Sequence, residues 1–153
     1  MKKTFMLFIS IVTALFSVAC SSVTPVVQNI PGTVSDIGNI NVLVPEGWAI
    51  EPGLPGGYES DDSVFLRPYE NSDEYIWIQI MTEEDKNSAV KVNTTEKISA
   101  INLTNGKWKG KESLISSTID NKTFAVSNNG IDFNDDTVIA ILNSIKPVGQ
   151  ATE

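Results

Sequence analysis

Histidine is absent from all 153 residues, and cysteine occurs once, as Cys20. The first absence removes the commonest general base and metal ligand, and with them the Ser-His and Cys-His triads. The second leaves no partner for an internal disulfide and no thiolate set for zinc. Basic side chains are scarce as well: 11 Lys and Arg stand against 19 Asp and Glu, a net charge of −8. That balance repels phosphate polyanions and argues against nucleic acid as a partner. Neither G-x-G-x-x-G nor a P-loop occurs, because "GLPGG" at 53–57 lacks both a following helix and the Lys-Ser/Thr pair. Two enzyme designs survive these absences, paired carboxylates and Ser with Lys.

What is present begins at the N-terminus. Met1-Lys2-Lys3 is followed by an uncharged stretch from Phe5 to Ala19, then by polar Ser21-Ser22. A basic start, a short apolar run and small residues at its end describe a secretory signal segment. An uncleaved anchor helix fits less well, since spanning a core of about 30 Å takes about twenty apolar residues. Ser17-Val18-Ala19 is a small-x-small cleavage site of the ordinary secretory kind. Phe16-Ser17-Val18-Ala19-Cys20 also resembles the lipobox of bacterial lipoproteins, with Ser17 where that family ordinarily has Leu. The resemblance implies a diacylglyceryl thioether, with fatty acyl chains such as palmitate, on Cys20 and cleavage between Ala19 and Cys20. Both readings cut the same bond. They differ in the fate of the thiol, and a lone unpaired cysteine in oxidising surroundings is better accounted for by lipid than by a free thiol. Two acyl chains, at about 0.8 kcal/mol per buried methylene, make a stable anchor where one holds only marginally.

The expected organisation is therefore a lipoprotein signal peptide over 1–19, a tether over 20–39, one domain over 40–148 and a tail over 149–153. Cutting before Cys20 takes nineteen residues, Lys2 and Lys3 among them, and leaves 134 residues with 9 basic against 19 acidic side chains, a net charge of −10. That length suits one domain with its own core, and that charge disfavours docking on an anionic bilayer except through the lipid. The tether, "SSVTPVVQNIPGTVSDIGN", is broken by Pro25, Pro31, Gly32 and Gly38 and shows no regular period. As a flexible coil it would hold the domain about 25 Å from the membrane.

Within the domain, Ile40, Val42 and Val44 alternate as one face of a strand, Pro45-Glu46-Gly47 supplies a turn, and Trp48 opens a second strand. "SVFLRP" and "YIWIQIM" read as strands, the latter with Ile76, Ile78 and Ile80 on one face. Residues 86–97 are compatible with a short helix using Ala89, Val92 and Glu96. "ISAINLTNGKW" reads as a hairpin about Asn105-Gly106, and "SLISSTIDNKTFAVS" as another about Asp120-Asn121, residue types that tolerate positive φ. A helix is marked near Asp135–Ile145 by the stripe Val138, Ile141, Leu142 and Ile145, with Asp135 and Asp136 at its positive end, Lys146 at its negative end and Pro147 as its stop. Six or seven short strands in hairpins with one firm helix indicate an α+β fold on an antiparallel sheet. The segments "VLVPEGW", "NGKW" and "NNGIDFNDDTVIAILNSIKP" resemble small bacterial lipoproteins with a PsbP-like domain, the fold of a photosystem extrinsic subunit and a Ran-binding import factor. The resemblance runs from Ile40 to Pro147. It implies a sheet of about six strands packed against helices as an α/β/α sandwich, a C-terminal helix, and a non-catalytic assembly role without site residues.

Candidate chemistry is sparse. Asp61-Asp62, Asp73-Glu74 and Glu83-Glu84-Asp85 fall between the expected strands, where acids ordinarily face solvent, whereas a glycosidase needs two carboxyls set across a cleft. Asp132, Asn134 and Asp136 match positions 1, 3 and 5 of a calcium loop, but Thr137 replaces the required Gly and Asn143 the bidentate Glu. Capping of the terminal helix explains the same residues. Trp77 with Tyr75, or Trp48 or Trp108, offers an aromatic platform for a sugar or peptide, although tryptophan most often serves the core. The Asn-x-Thr triplets at Asn93, Asn102 and Asn121 matter only in a eukaryotic secretory path. The sequence thus points to a lipid-anchored protein of the cell membrane facing outside the cytoplasm, without a cofactor, that contacts an envelope or secreted protein. A small-ligand or carbohydrate binder and a carboxylate cell-wall hydrolase are the alternatives.

Overall fold

The computed structural model describes residues 28–53, 60–71, 73–82 and 99–149. Ten strands and one helix occur among them: β1 Gly32–Ile37, β2 Ile40–Pro45, β3 Trp48–Pro52, β4 Ser63–Pro68, β5 Tyr75–Ile80, β6 Ser99–Leu103, β7 Gly106–Lys111, β8 Leu114–Ile119, β9 Lys122–Asn129, α1 Asp136–Ser144 and β10 Lys146–Pro147. The strands form two sheets, one ordered β1-β2-β10 and the other β3-β4-β5-β9-β8-β7-β6, and every pairing is antiparallel.

This corrects the expected α+β sandwich, in which a sheet of about six strands packs against helices. The protein is β-rich, with sheets of three and seven strands and a single helix among the described residues. The connections supply a physical reason. Leu103 pairs with Gly106, Lys111 with Leu114 and Ile119 with Lys122, so two-residue turns join β6 through β9 and leave no room for helices between them. The inner face of the large sheet is covered by α1 together with strands of the small sheet. The helix considered over 86–97 lies outside the described residues.

Strand alternation sets what is inside. On β4 and β5, Val64, Leu66, Ile76 and Ile78 are fully buried, while their neighbours Phe65 and Trp77 turn to the opposite face. The inner set continues through Phe124 and Val126 on β9, Ile115 on β8, Trp108 on β7 and Ile101 on β6. Ile40 and Val42 from β2, with Val138, Ile141, Leu142 and Ile145 in and after α1, complete one cluster. Both sheets and the helix therefore share a single apolar interior. The Asp120-Asn121 turn has φ of 47° and 64°, the left-handed pair that closes a hairpin with the right twist. Its counterpart between β6 and β7 turns one residue earlier than Asn-Gly, at Thr104-Asn105.

That shift frees Asn105 for another task. Its Nδ2 donates to the carbonyls of Leu142 (2.8 Å) and Ile145 (3.2 Å), while the Thr104 amide donates to Asn143 Oδ1 (2.9 Å). The last carbonyls of a helix lack their regular amide partners; Leu142 O accepts a long bond from the Ile145 amide (3.4 Å), and a distant hairpin supplies the shorter one. Lys146, expected at this end, is exposed and pairs with Asn41 in β10 instead. On the other side, Ser144 Oγ donates to Ile141 O (2.6 Å) and accepts from the Leu43 amide (2.8 Å), fastening the helix to β2.

Asn105→Ala is expected to lower unfolding stability by about 1–2 kcal/mol, from two lost hydrogen bonds at about 0.5–1.5 kcal/mol each. Asn105→Asp should cost at least as much, because a carboxylate cannot donate and adds negative charge at a helix C-terminus. Urea titration followed by circular dichroism measures both.

Candidate functional site

Ala19 and Cys20, the expected cleavage and lipid-attachment residues, lie outside the described residues. Among the described ones, no helix is long and apolar enough to cross a membrane.

The calcium-like run is organised as a turn and a cap. Asp132 Oδ1 accepts from the Asn134 amide (2.8 Å) and Nδ2 (2.9 Å), closing an Asx turn. Asp135 is the N-cap of α1, its Oδ1 accepting from the amides of Thr137 (2.8 Å) and Val138 (3.4 Å). Asp136 Oδ2 accepts from Gln28 Nε2 at 2.6 Å. Asp132 and Asn134 are thus bonded to each other and Asp136 to Gln28, 108 residues away in sequence, rather than all to a common centre. Among the described residues no group of three or more acidic, cysteine or histidine side chains could hold a metal ion.

The carboxylate pairs are likewise dispersed. Asp62 accepts from Asn39 Nδ2 (2.9 Å), and the Asp61 carbonyl from the Asn39 amide (2.7 Å), so this pair buttresses the turn between β1 and β2. Gly38 lies in that turn with φ 55°, and a Cβ there would meet the Asp61 carbonyl at 2.3 Å. Asp73 and Glu74 precede β5, and 83–85 lie outside the described residues. The structure brings together two other acids. Glu112 and Asp132 both line a groove of about 450 Å³ with Asn128, Ile131 and Phe133. Both are exposed, whereas a catalytic acid needs an apolar setting that keeps its proton. They share one groove because β9 returns beside the β7–β8 turn.

The three tryptophans separate. Trp108 is fully buried on β7, flanked by exposed Lys107 and Lys109 on the other face, so it serves the core. Trp77 stands on the outer face of the large sheet, its ring stacked on Phe65 at 5.8 Å and 8°, with Tyr75 edge-on to Phe65 at 5.5 Å. Register explains the contact, since Phe65 and Trp77 are cross-strand partners. Tyr75 and Trp77 form one wall of a groove of about 410 Å³ that also includes Gln79, Leu114, Ala125 and Ser127. Trp48 lines a third groove, of about 430 Å³, between β1 and β3, near Thr33, Ser35, Val44, Glu46 and Tyr69. Tyr69 is 72% exposed, the most exposed large hydrophobic side chain described. Sequence reading singled out Trp48 but neither Tyr69 nor the groove, which exists only once the two sheets are placed.

Calcium at about 10 mM is expected to leave the melting temperature unchanged. A site of about 10⁻⁴ M affinity would at that concentration add about 2.7 kcal/mol and raise it by several degrees. No protein-family model and no curated protein sequence matches the chain.

Proposed function

We propose that this protein is a non-catalytic lipoprotein, held by acyl chains on Cys20 outside the cytoplasm, whose domain is an interaction or assembly module of the cell envelope. The observation that carries the location is the single cysteine, placed directly after an uncharged run and Ala19. A net charge of −8 supports attachment through lipid rather than through contact with anionic headgroups. The role of the domain is supported by its surface. Asp62, Asp132 and Asp135 serve turns or a helix cap, Glu112 lies exposed at a groove, and Tyr69, the most exposed aromatic among the described residues, borders an open groove rather than a closed pocket. Contacts of that kind suit a protein partner, for which tyrosine is a favoured anchor.

A second reading, a carbohydrate or small-ligand binder, is favoured by one observation. The groove beside Tyr75 and Trp77 combines aromatic rings with Gln79, Ser113 and Ser127, the mixture that fixes an amphipathic ligand.

The anchor is tested by Cys20→Ala in the native host. The variant is expected to leave the detergent phase or to accumulate unprocessed, and undiminished membrane attachment would overturn the assignment. For the domain, cross-linking in intact cells is expected to recover a defined envelope or secreted protein. Recovery of lipid alone would count against an assembly role.

A further inference from the structure

We infer that the free edge of β3 accepts an extended, basic peptide segment of a protein partner as an added strand, seated in the groove between β1 and β3. The inference rests on the reading of the domain as an interaction module and says where and how it binds.

Backbone pairing carries the argument. The Tyr69 amide donates to Gly47 O (2.8 Å) and the Gly53 amide to Ser63 O (2.9 Å), bracketing the β3–β4 ladder at both ends. Antiparallel ladders alternate between bonded and non-bonded pairs. Gly47, Ala49, Glu51 and Gly53 therefore turn their backbone groups to β4, and Trp48 and Ile50 turn their N–H and C=O groups the other way. β3 ends the order of its sheet, so no described strand meets them. Sheet edges are ordinarily blunted by lysine, proline or a bulge. β3 reads Trp-Ala-Ile-Glu-Pro, has no lysine, meets proline only at its last position, and pairs with β4 without a bulge from Trp48 to Pro52.

The flank of this edge is shaped for a chain. The groove of about 430 Å³ runs along β3, with Val44 and Trp48 as apolar lining, Thr33 and Ser35 of β1 opposite, and Tyr69 at the rim. Side chains of an added strand alternate. Those in register with Trp48 and Ile50 meet this lining, and those in register with Ala49 and Glu51 meet the outer face. The charge of the occupant follows from the rim. Glu46 lines the groove, Glu70 follows Tyr69, and Arg67 on β4 is engaged by Glu51. In a chain of net charge −8 this selects a basic segment.

The test uses the ¹⁵N-labelled full chain in detergent micelles and the acetylated, amidated hexapeptide of alternating Lys and Val. Expected are saturable binding and at least about tenfold slower amide exchange at Trp48 and Ile50, with Ala49 and Glu51, already bonded to β4, unchanged. Replacing lysine by glutamate in the peptide should weaken binding about tenfold, Tyr69→Ala by a similar factor, and N-methylation of the valines, whose amides face β3 when their side chains meet the Trp48 lining, should abolish it. Absence of binding, equal binding of the methylated peptide, or shifts centred on Tyr75 and Trp77 would overturn the inference. So would slowing at Trp48 and Ile50 that grows with protein concentration before peptide is added, since a second copy would then hold the edge. Should cellular cross-linking recover a partner joined far from Glu46–Ile50, the interaction role stands and the β3 edge is the wrong place. Should it recover none, the role itself falls.

Discussion

The carboxyl end of α1 is where the architecture is tied together. Helices leave their final carbonyls short of partners, and here Asn105, 37 and 40 residues away in sequence, donates to that of Leu142, which also accepts the long bond from the Ile145 amide, and to that of Ile145. Ser144, the last residue of α1, accepts from the Leu43 amide of the other sheet. A three-stranded and a seven-stranded sheet are thus fastened to one short helix by a few polar contacts at its end. The apolar face of that helix, Val138 to Leu142, fills the space between them. Hydrophobic burial provides most of the driving force. The polar contacts fix which way the helix points, because carbonyls in an apolar interior cost free energy when unpaired.

Much of the large sheet was legible in the chain. Alternation in "YIWIQIM" foretold which faces of β5 are buried, and Asp120-Asn121 foretold a left-handed turn, because both rest on the local geometry of two or three residues. Asp135 as helix cap was legible for the same reason. β1 was not. Gly32–Ile37 is polar and mostly exposed, and only pairing with β2 makes it a strand within a stretch that reads as a tether. β10 is two residues long and owes its existence to Asn41 and Ile40 alongside it. The division into two sheets, with strands rather than helices beside α1, depends on such non-local pairings, which no periodicity encodes.

The same distinction governs the surface. Cys20 is conspicuous in the sequence and needs no fold to be noticed. Trp108 could have been placed in the core from its flanking lysines, since side chains alternate and both Lys107 and Lys109 must face water. The groove beside Tyr69 had no such signal, because its walls come from β1, from the turn after β2 and from β3. An edge is a property of a sheet, not of a strand, and "WAIEP" alone does not disclose which of its amides lack a partner.

The distribution of the tryptophans has an optical consequence. Trp108 is sealed in the interior and Trp77 is held against Phe65 on the outer face, both with a buried, unpartnered indole Nε1, while Trp48 stands half-exposed at a groove. An indole without a polar neighbour emits at shorter wavelength than one in contact with water. Light from this protein therefore carries distinguishable signals from its two enclosed indoles and from a groove wall. A soluble quencher would reach the last of these first, and the colour of what remained would report whether the interior was still dry.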